Sequence, residues 1–337
     1  METPIALKAK ANEYIQALYS GRASHDFMTH VNEVLADYTP LSKRDRDQSN
    51  QAVDSYLGLV EFKTILTNTA NNILVDKWSS STETWRLWVK QLELNDFRVT
   101  PISASGVVQE PRNVSEGAEY KHRAMYGEAT AAQLKTYGDL IGVPRETIVN
   151  DNIGGMDTFL GGITNSYDRS IGDKIYSFLT DNPVSFEGKE LFHADHNNVV
   201  TKTATLSDDL GAAMAQMYGQ KFVINSENVE SLRVQPKYLL VAPILALEAS
   251  KAAGELNESL TEGQKLTVLI EPRLTGFAGW FLASDNSFSS IAMLTLKGAR
   301  SPQLMMKSLS LRNGSEAKYR YDYDVTPIDY RGLVRVM

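Results

Sequence analysis

The end of the chain constrains its fold more than any other segment. Residues Lys318–Val336, KYRYDYDVTPIDYRGLVRV, open with a strict alternation of side-chain types. One set comprises Tyr319, Tyr321, Tyr323 and Val325, and the other Arg320, Asp322 and Asp324. Because successive side chains of a strand point to opposite faces, this pattern predicts a half-buried β-strand with an aromatic face. The segment contains no Ser, Cys or His nucleophile, and is typical of a scaffold.

Size and composition indicate a globular protein. The 337 residues are enough for two domains of about 100–200 residues each. Apolar residues make up 42% and charged residues 22%, with a net charge of −7, which argues against a dedicated nucleic-acid-binding protein. The absence of cysteine excludes disulfides and cysteine-based zinc or redox chemistry. No signal peptide or membrane-spanning window is recognisable, so we expect folding in a cytoplasm.

The longest helical pattern covers Met156–Leu179. Its apolar residues recur every three or four positions: Met156, Phe159, Leu160, Ile163, Tyr167, Ile171, Ile175, Phe178 and Leu179. Asn182-Pro183 should end it. Gly161, Gly162 and Gly172 each weaken such a helix by about 1 kcal/mol relative to alanine, so we expect close packing at those points.

The remaining patterns predict helices near the N-terminus and a mixed lobe later in the chain. Residues 1–38 read as two helices, and the polar segment Lys43–Gln51 as a solvated linker. The lobe should contain helices at Leu210–Phe222 and Pro243–Glu255, and strands at Tyr238–Ala242, Lys265–Ile270 and Trp280–Ala283. Residues Trp85–Val99 have a strand-like pattern.

A charged hairpin is predicted at Val107–Met125. Pro111, Asn113 and Gly117 lie between two extended arms, as in a long hairpin that projects from a body. Its charged residues are dense and of mixed sign: Glu110, Arg112, Glu116, Glu119, Lys121 and Arg123. The residues alone leave two interpretations open, a mobile surface loop or an arm that lies on a neighbouring subunit.

The strongest candidate for chemistry is LFHADHNN, Leu191–Asn198. His193, Asp195 and His196 are plausible zinc or iron ligands, but their spacing is not that of a zinc-protease helix. The favoured alternative is a turn held by His and Asn hydrogen bonds. The sequence has no G-x-S-x-G elbow and no phosphate-binding glycine loop, so we predict no catalytic, cofactor-binding or metal-binding residues.

The order of several segments resembles the major capsid proteins of tailed phages. These segments are Glu61–Trp78, Asp96-Phe97, EGAEYK at Glu116–Lys121, Tyr137–Gly155, LFHADHNN and DYDVTPIDYRGL at Asp322–Leu333. The likeness is greatest to the capsid half of prohead protease–capsid fusions and to Mu-like major head subunits. It covers residues 58–337, and the first part of the chain lies outside it.

The resemblance implies an α+β fold of the Hong Kong 97-like capsid type. The implied domains are an N-terminal helical arm (1–57), the entry to the peripheral (P) domain (58–105), an extended E-loop hairpin (106–128), the P-domain with its spine helix (129–199), an axial (A) domain (200–290) and return strands of the P-domain (291–337). Within the E-loop, the resemblance favours contacts between subunits through Arg112, Glu116, Glu119, Lys121 and Arg123.

The implied function is that of a major head protein, not an enzyme. Copies would form hexamers and pentamers of an icosahedral virion shell, assembled in the host cytoplasm around double-stranded DNA. Scaffold or prohead protease, portal and decoration or cement proteins are the further partners implied. Three alternatives remain: an encapsulin-like compartment shell, a metal-dependent hydrolase using His193, Asp195 and His196, and a tail or baseplate protein.

Overall fold

The computed structural model describes most of the chain after its first 66 residues. The described ranges are 67–68, 70–107, 126–144, 153–184, 188–203, 205–225, 228–308 and 314–337. The helices predicted in residues 1–38 and the linker predicted at Lys43–Gln51 lie outside them, as do residues 108–125 of the predicted hairpin.

Helices and strands are mixed along the described chain, which confirms the predicted α+β class. The α-helices are residues 70–79 (α1), Ile153–Asp181 (α2), Leu206–Tyr218 (α3) and Ala246–Ser259 (α4). The strands are Lys90–Leu94 (β1), Thr100–Val107 (β2), Tyr126–Ala132 (β3), Lys135–Pro144 (β4), Val199–Val200 (β5), Lys221–Asn225 (β6), Asn228–Ser231 (β7), Pro236–Val241 (β8), Thr267–Ile270 (β9), Trp280–Ser284 (β10), Ile291–Leu296 (β11), Gln303–Ser308 (β12), Gly314–Pro327 (β13) and Leu333–Val336 (β14). Short 3-10 helices lie at Thr84–Leu87, Ala194–His196, Pro243–Leu245, Glu262–Gln264 and Pro272–Leu274.

The chain divides into two compact units. One comprises Met1–Ser80, Gly138–Asn165 and Ser301–Tyr321, and the other Ser81–Tyr137, Ser166–Arg300 and Asp322–Met337. The divisions fall within β4, α2 and β13, so these three elements contribute residues to both units.

The larger unit is built on a five-stranded sheet with the strand order β5-β14-β10-β8-β9. One face of this sheet packs against α3 and α4. The strands contribute Leu239, Val241, Trp280, Leu282, Val334 and Val336, and the helices Leu210, Ala213, Met217, Ala249, Ala252 and Ala253. The three alanines of α4 are small, so this helix can lie close to the sheet. Removal of this apolar surface from water stabilises the layer by about 25 cal/mol per Å².

A second sheet of the same unit supports the base of the predicted hairpin. Strand β1 pairs in parallel with β11, which pairs antiparallel with the end of β13. Strands β2 and β3 form their own antiparallel pair. One apolar cluster joins the pair to the sheet: Leu94, Ile102, Ala132, Leu134, Ala292, Leu294 and Ile328.

The other unit fixes α1 against a strand pair. Strand β12 pairs antiparallel with the first half of β13. The Asn71 side chain donates a hydrogen bond to the Leu304 carbonyl (3.1 Å) and accepts one from the Leu304 N–H (2.8 Å). The rings of Trp78 and Tyr321 meet edge to face at 5.1 Å. These contacts attach the polar and the aromatic residues of α1 to neighbouring strands.

The long helix predicted at Met156–Leu179 is present as α2, which has 29 residues. Its buried apolar residues follow the predicted spacing: Leu160, Ile163, Tyr167, Ile171, Ile175 and Leu179. The helix ends where Asn182 adopts a left-handed conformation (φ 51°), directly before Pro183. Neither α2 nor any other described helix combines the length and the apolar character needed to cross a membrane.

The glycines of α2 differ in their surroundings. A Cβ added at Gly172 would lie 2.9 Å from Cζ of Arg273, whereas one added at Gly162 would have nothing within 4 Å. Gly161 has only ordinary contacts with the Lys77 side chain. The close approach that the sequence predicted therefore occurs at Gly172 alone of the three, and a side chain makes it.

The closing strand differs from its prediction in burial. The alternation is present in β13, but both of its faces are buried near the end of the strand. There Asp322 and Asp324 are buried as well as Tyr321 and Tyr323. Thr136 Oγ1 donates a hydrogen bond to Asp322 (2.6 Å), and Lys174 forms an ion pair with Asp324. The prediction of a half-buried strand was wrong because these long-range partners allow the charged face to be covered.

Several predicted boundaries also shift, and the α-helix predicted at Pro243–Glu255 begins instead as the 3-10 helix Pro243–Leu245. The helix predicted at Leu210–Phe222 is α3, which ends before Gly219, so that Phe222 lies in β6 instead. In the strand-like segment Trp85–Val99, only β1 is a strand, and the four residues Thr84–Leu87 form a 3-10 helix.

We predict opposite effects of two alanine substitutions in α2. Gly162→Ala should raise the free energy of unfolding by up to about 1 kcal/mol, because alanine favours the helix and meets no neighbour. Gly172→Ala should be about 1–3 kcal/mol less stable than Gly162→Ala, because the new methyl group displaces Arg273 from its carboxylates. Urea denaturation of the unassembled variants measures both values, and equal stabilisation would contradict the packing at Gly172.

Candidate functional site

The predicted subunit-contact residues Arg112, Glu116, Glu119, Lys121 and Arg123 lie outside the described residues. The structure describes the strands on either side of them. Strand β2 pairs with β3 from Thr100↔Ala132 to Val107↔Tyr126. The two ends of segment 108–125 therefore start from adjacent strand ends, as a projecting hairpin requires.

The segment Leu191–Asn198, called here the HADH turn, is a hydrogen-bonded turn. Nδ1 of His193 accepts a hydrogen bond from the backbone N–H of Asp195 (3.1 Å), and Asn197 adopts a left-handed conformation (φ 48°). The Asn198 side chain accepts from the His193 N–H (3.1 Å) and donates to the Leu191 carbonyl (2.9 Å). These bonds are those expected of a turn held by histidine and asparagine.

The HADH turn contacts the segment Ile328–Gly332, called here the closing turn. The ring of His196 stacks on the ring of Tyr330, with centroids 3.9 Å apart and an angle of 8° between the planes. The Asn198 amide also donates to the Tyr330 carbonyl (3.3 Å). On the chain, these two turns are separated by α3, α4 and the central strands of the sheet. Their contact fixes the point at which the chain enters β14.

A buried ion pair stiffens the closing turn. Asp329 accepts hydrogen bonds from the backbone N–H groups of Tyr330 (2.7 Å) and Arg331 (2.9 Å), and its carboxylate lies 3.2 Å from Nη1 of Arg331. The guanidinium of Arg331 also packs against the rings of Phe222 and Tyr330 at 5.0 and 4.4 Å. Both charged residues are buried, so removal of either one leaves the other charged in a poorly solvated place.

The geometry accounts for each member of the candidate metal-ligand set. His196 is buried, with Nδ1 3.2 Å from the Leu191 carbonyl, which can only accept a hydrogen bond. Asp195 is exposed and bonded to Lys189 (2.7 Å), which holds the pKa of this carboxyl below its ordinary value. Among the described residues, no group of three or more His, Asp or Glu side chains is arranged to hold a metal ion.

A second polar cluster attaches the segment Glu83–Trp88, called here the strap, to α2. Arg273 lies 2.9 Å from the Glu83 carboxylate and 2.6 Å from that of Asp173 on α2. The Thr84 hydroxyl lies 2.7 Å from the hydroxyl of Tyr176. Trp85 and Trp88 of the strap are buried, so polar and apolar contacts both hold it in place.

Arg86 of the strap also forms an ion pair with Asp168 of α2. Nη2 of Arg86 lies 2.8 Å from Oδ1 of Asp168, whose side chain is almost inaccessible. Burial raises the pKa of Asp168 above its ordinary value, although hydrogen bonds and the charge of Arg86 oppose the shift. Burial likewise raises the pKa of Tyr176. The partner of the strap residue Arg86 is therefore a carboxyl group of α2 that ionises less readily than an exposed aspartate.

The sequence model of the phage capsid protein family matches residues 127–336, well over half of the chain. The chain belongs to this family. The match includes three of the segments that carried the resemblance described above: Tyr137–Gly155, Leu191–Asn198 and Asp322–Leu333. The prediction that this is a phage capsid protein is thereby confirmed.

Several solved structures are distantly similar to this capsid protein. The procapsid of bacteriophage JBD30 is 10% identical, with a TM-score of 0.46 over 81% of this chain and 73% of that chain. A virus-like particle from Pyrococcus furiosus is 7% identical, with a TM-score of 0.49 over 81% and 99%. An encapsulin complex from Synechococcus elongatus is 8% identical, with a TM-score of 0.45 over 74% and 84%. No curated protein matches this chain significantly. The family match, and not these distant likenesses, carries the assignment.

Sequence reasoning missed Tyr330, Asp329 and Arg331 as a structural centre. The available signal was the opposite charges of Asp329 and Arg331 in the segment IDYRGL, between the apolar residues Ile328 and Leu333. Charged residues in an apolar segment indicate a buried ion pair. It also missed the strap residues Glu83 and Arg86, whose partners lie more than 80 positions away in the sequence.

We predict that Asp329→Asn lowers the free energy of unfolding by about 3 kcal/mol, because it leaves the buried charge of Arg331 without its carboxylate. The double variant Asp329→Asn/Arg331→Met should recover part of this loss, since it removes the buried charge. Denaturant titration of unassembled protein measures both. A loss below about 0.5 kcal/mol in Asp329→Asn would contradict the role given to this pair.

We predict that Asp168→Asn changes the pH dependence of stability. A carboxyl whose pKa is higher in the folded than in the unfolded state binds more protons when folded. Its contribution to the free energy of unfolding is therefore greatest below the unfolded pKa of about 3.9 and decreases as the pH rises through the folded pKa.

The wild-type stability minus that of Asp168→Asn should thus fall between acidic and neutral pH, since most other groups are common to both proteins. Denaturant titrations at several pH values measure this difference. Asp181→Asn, which alters an exposed aspartate of the same helix, controls for the substitution itself. A difference that increases with pH would contradict the buried environment of Asp168.

Proposed function

We propose that the protein is the major head subunit of a tailed phage, which self-assembles into an icosahedral shell around packaged double-stranded DNA. The observation that carries this proposal is the match of the phage capsid family to residues 127–336. On this proposal the protein acts through its surfaces as a structural protein, is assembled in the host cytoplasm and resides in the virion capsid.

The described architecture supports a Hong Kong 97-like arrangement of domains. We assign α2 to the spine helix of a P-domain at residues 129–199. Helices α3 and α4, with the strands β8, β9 and β10 that they cover, belong to an A-domain at residues 200–290. Residues 106–128 form the E-loop in this scheme, and residues 291–337 return to the P-domain. Residues 1–57 would be a helical arm, and residues 58–105 the entry to the P-domain.

Assembly then follows from repeated weak contacts. A surface that meets a different surface of the next copy generates rings when the rotation closes, and hexamers and pentamers are such rings. Each added contact acts at a high effective concentration, so modest interfaces sum to a stable shell. With a net charge of −7, the chain is poorly suited to bind DNA tightly, which fits a wall that encloses a genome without holding it.

Portal, scaffold or prohead protease and decoration or cement proteins are the further partners of this proposal. None of them is needed for the first test. Purified protein, examined by sedimentation velocity and negative-stain microscopy, should form closed shells of uniform diameter. Protein that stays monomeric at high concentration, or that forms tubes, would contradict the proposal. Nuclease-protected DNA in particles from infected cells would distinguish a phage head from an enzyme-filled compartment.

The proposed E-loop contacts give a second prediction. The double reversal Glu116→Lys/Glu119→Lys should prevent shell formation while the subunit stays folded, because charge at an interface sets the register between partners. The charge-preserving control Glu116→Asp/Glu119→Asp should assemble. Sedimentation measures assembly, and circular dichroism measures folding. Normal shells from the reversed variant would contradict the E-loop assignment.

A further inference from the structure

We propose that an apolar patch formed by Ile244, Leu247 and Ile270 is a contact surface between neighbouring copies of this chain. The proposal rests on the proposed shell function and names one of the surfaces that would carry it. The exposed fractions of these three side chains are 89%, 69% and 47%, respectively.

The three residues lie at the same end of the α3- and α4-covered sheet. Ile270 ends β9 and pairs with Val241, which ends β8, and the Glu271 N–H donates to the Val241 carbonyl (2.8 Å). Val241 belongs to the core beneath α4. Since paired residues of parallel strands point to the same face, Ile270 points to the face that α4 covers.

The helix leaves this end of the sheet uncovered. After β8 the chain makes the short 3-10 helix Pro243–Leu245 and begins α4 at Ala246, which then covers the earlier residues of the strands. Ile244 and Leu247 lie in the turn and in the first turn of α4 with their side chains exposed. Leu245 and Ala249, which alternate in sequence with Ile244 and Leu247, pack into the core. The backbone that carries the patch is therefore held in place by the core.

Charge favours a second copy of this chain as the occupant. Two copies with a net charge of −7 repel each other, and a contact between them is least opposed where no single sign of charge dominates. The patch carries no formal charge, and the exposed residues that follow it on α4, Glu248 and Lys251, have opposite signs. An apolar centre with a rim of mixed charge is the usual composition of an interface between proteins.

The test compares two glutamate substitutions. The double variant Ile244→Glu/Leu247→Glu should fold normally, because both side chains are exposed, but should need at least a tenfold higher protein concentration to assemble. Thr267→Glu adds a charge at the exposed other end of β9 and should assemble like the wild type. Ile244→Val, which keeps the patch apolar, should also assemble.

The outcomes separate this contact from the proposed function. If the wild type and Ile244→Glu/Leu247→Glu form shells at the same protein concentration, the patch is not a contact surface, and the proposed shell function is unaffected. If Thr267→Glu fails to assemble as well, the loss is not specific to the patch and the contact is again wrong. A wild-type chain that never assembles contradicts the proposed function and the contact together.

A second measurement does not depend on an assembly defect. The chain has no cysteine, so Ile244→Cys introduces a single thiol. Its reaction with a maleimide should be at least tenfold slower in assembled particles than in unassembled subunits, because a neighbouring copy covers it. Equal rates in the two states, or protection that appears only when another protein is added, would overturn the proposal.

Discussion

Both five-stranded sheets depend on the last segment of the chain. Strand β14 lies between β5 and β10 in one sheet, and β13 pairs with β11, β12 and β4 in the other. Neither sheet is complete without these two strands. The contact of the closing turn with the HADH turn sets the entry to β14, and the buried pair Asp329–Arg331 holds that turn in shape. Long-range pairing of this kind makes folding slow.

The sequence predicted the features that depend on local pattern. The apolar spacing of α2, the strands β8, β9 and β10, and the hydrogen-bonded nature of LFHADHNN were all readable from neighbouring residues. The partners of buried charges were not readable, because they lie far apart in sequence. Asp322 and Asp324 looked solvent-facing until Thr136 and Lys174 were placed beside them. In the same way, an exposed Ile244 cannot be recognised in a sequence, since an isoleucine in an apolar segment predicts a core residue.

The buried contacts within the subunit and the surfaces proposed for assembly have separate roles. Buried polar contacts hold the strap and the closing turn against their neighbours. At Gly172, the absence of a side chain lets Arg273 lie close to α2. The surfaces that we propose for assembly are the predicted charged hairpin and the apolar end of the α4-covered sheet. Elements that are already fixed lose little conformational freedom on binding, which lowers the cost of each contact between copies.

Assembly through contacts between copies is the central claim, and a reconstruction of the assembled particle by electron cryomicroscopy tests it most directly. We expect a closed shell in which residues 108–125 of each subunit lie against the next copy and Ile244 is covered by a neighbouring subunit. A preparation without closed shells would contradict the account, and so would a shell in which residues 108–125 and Ile244 both face solvent.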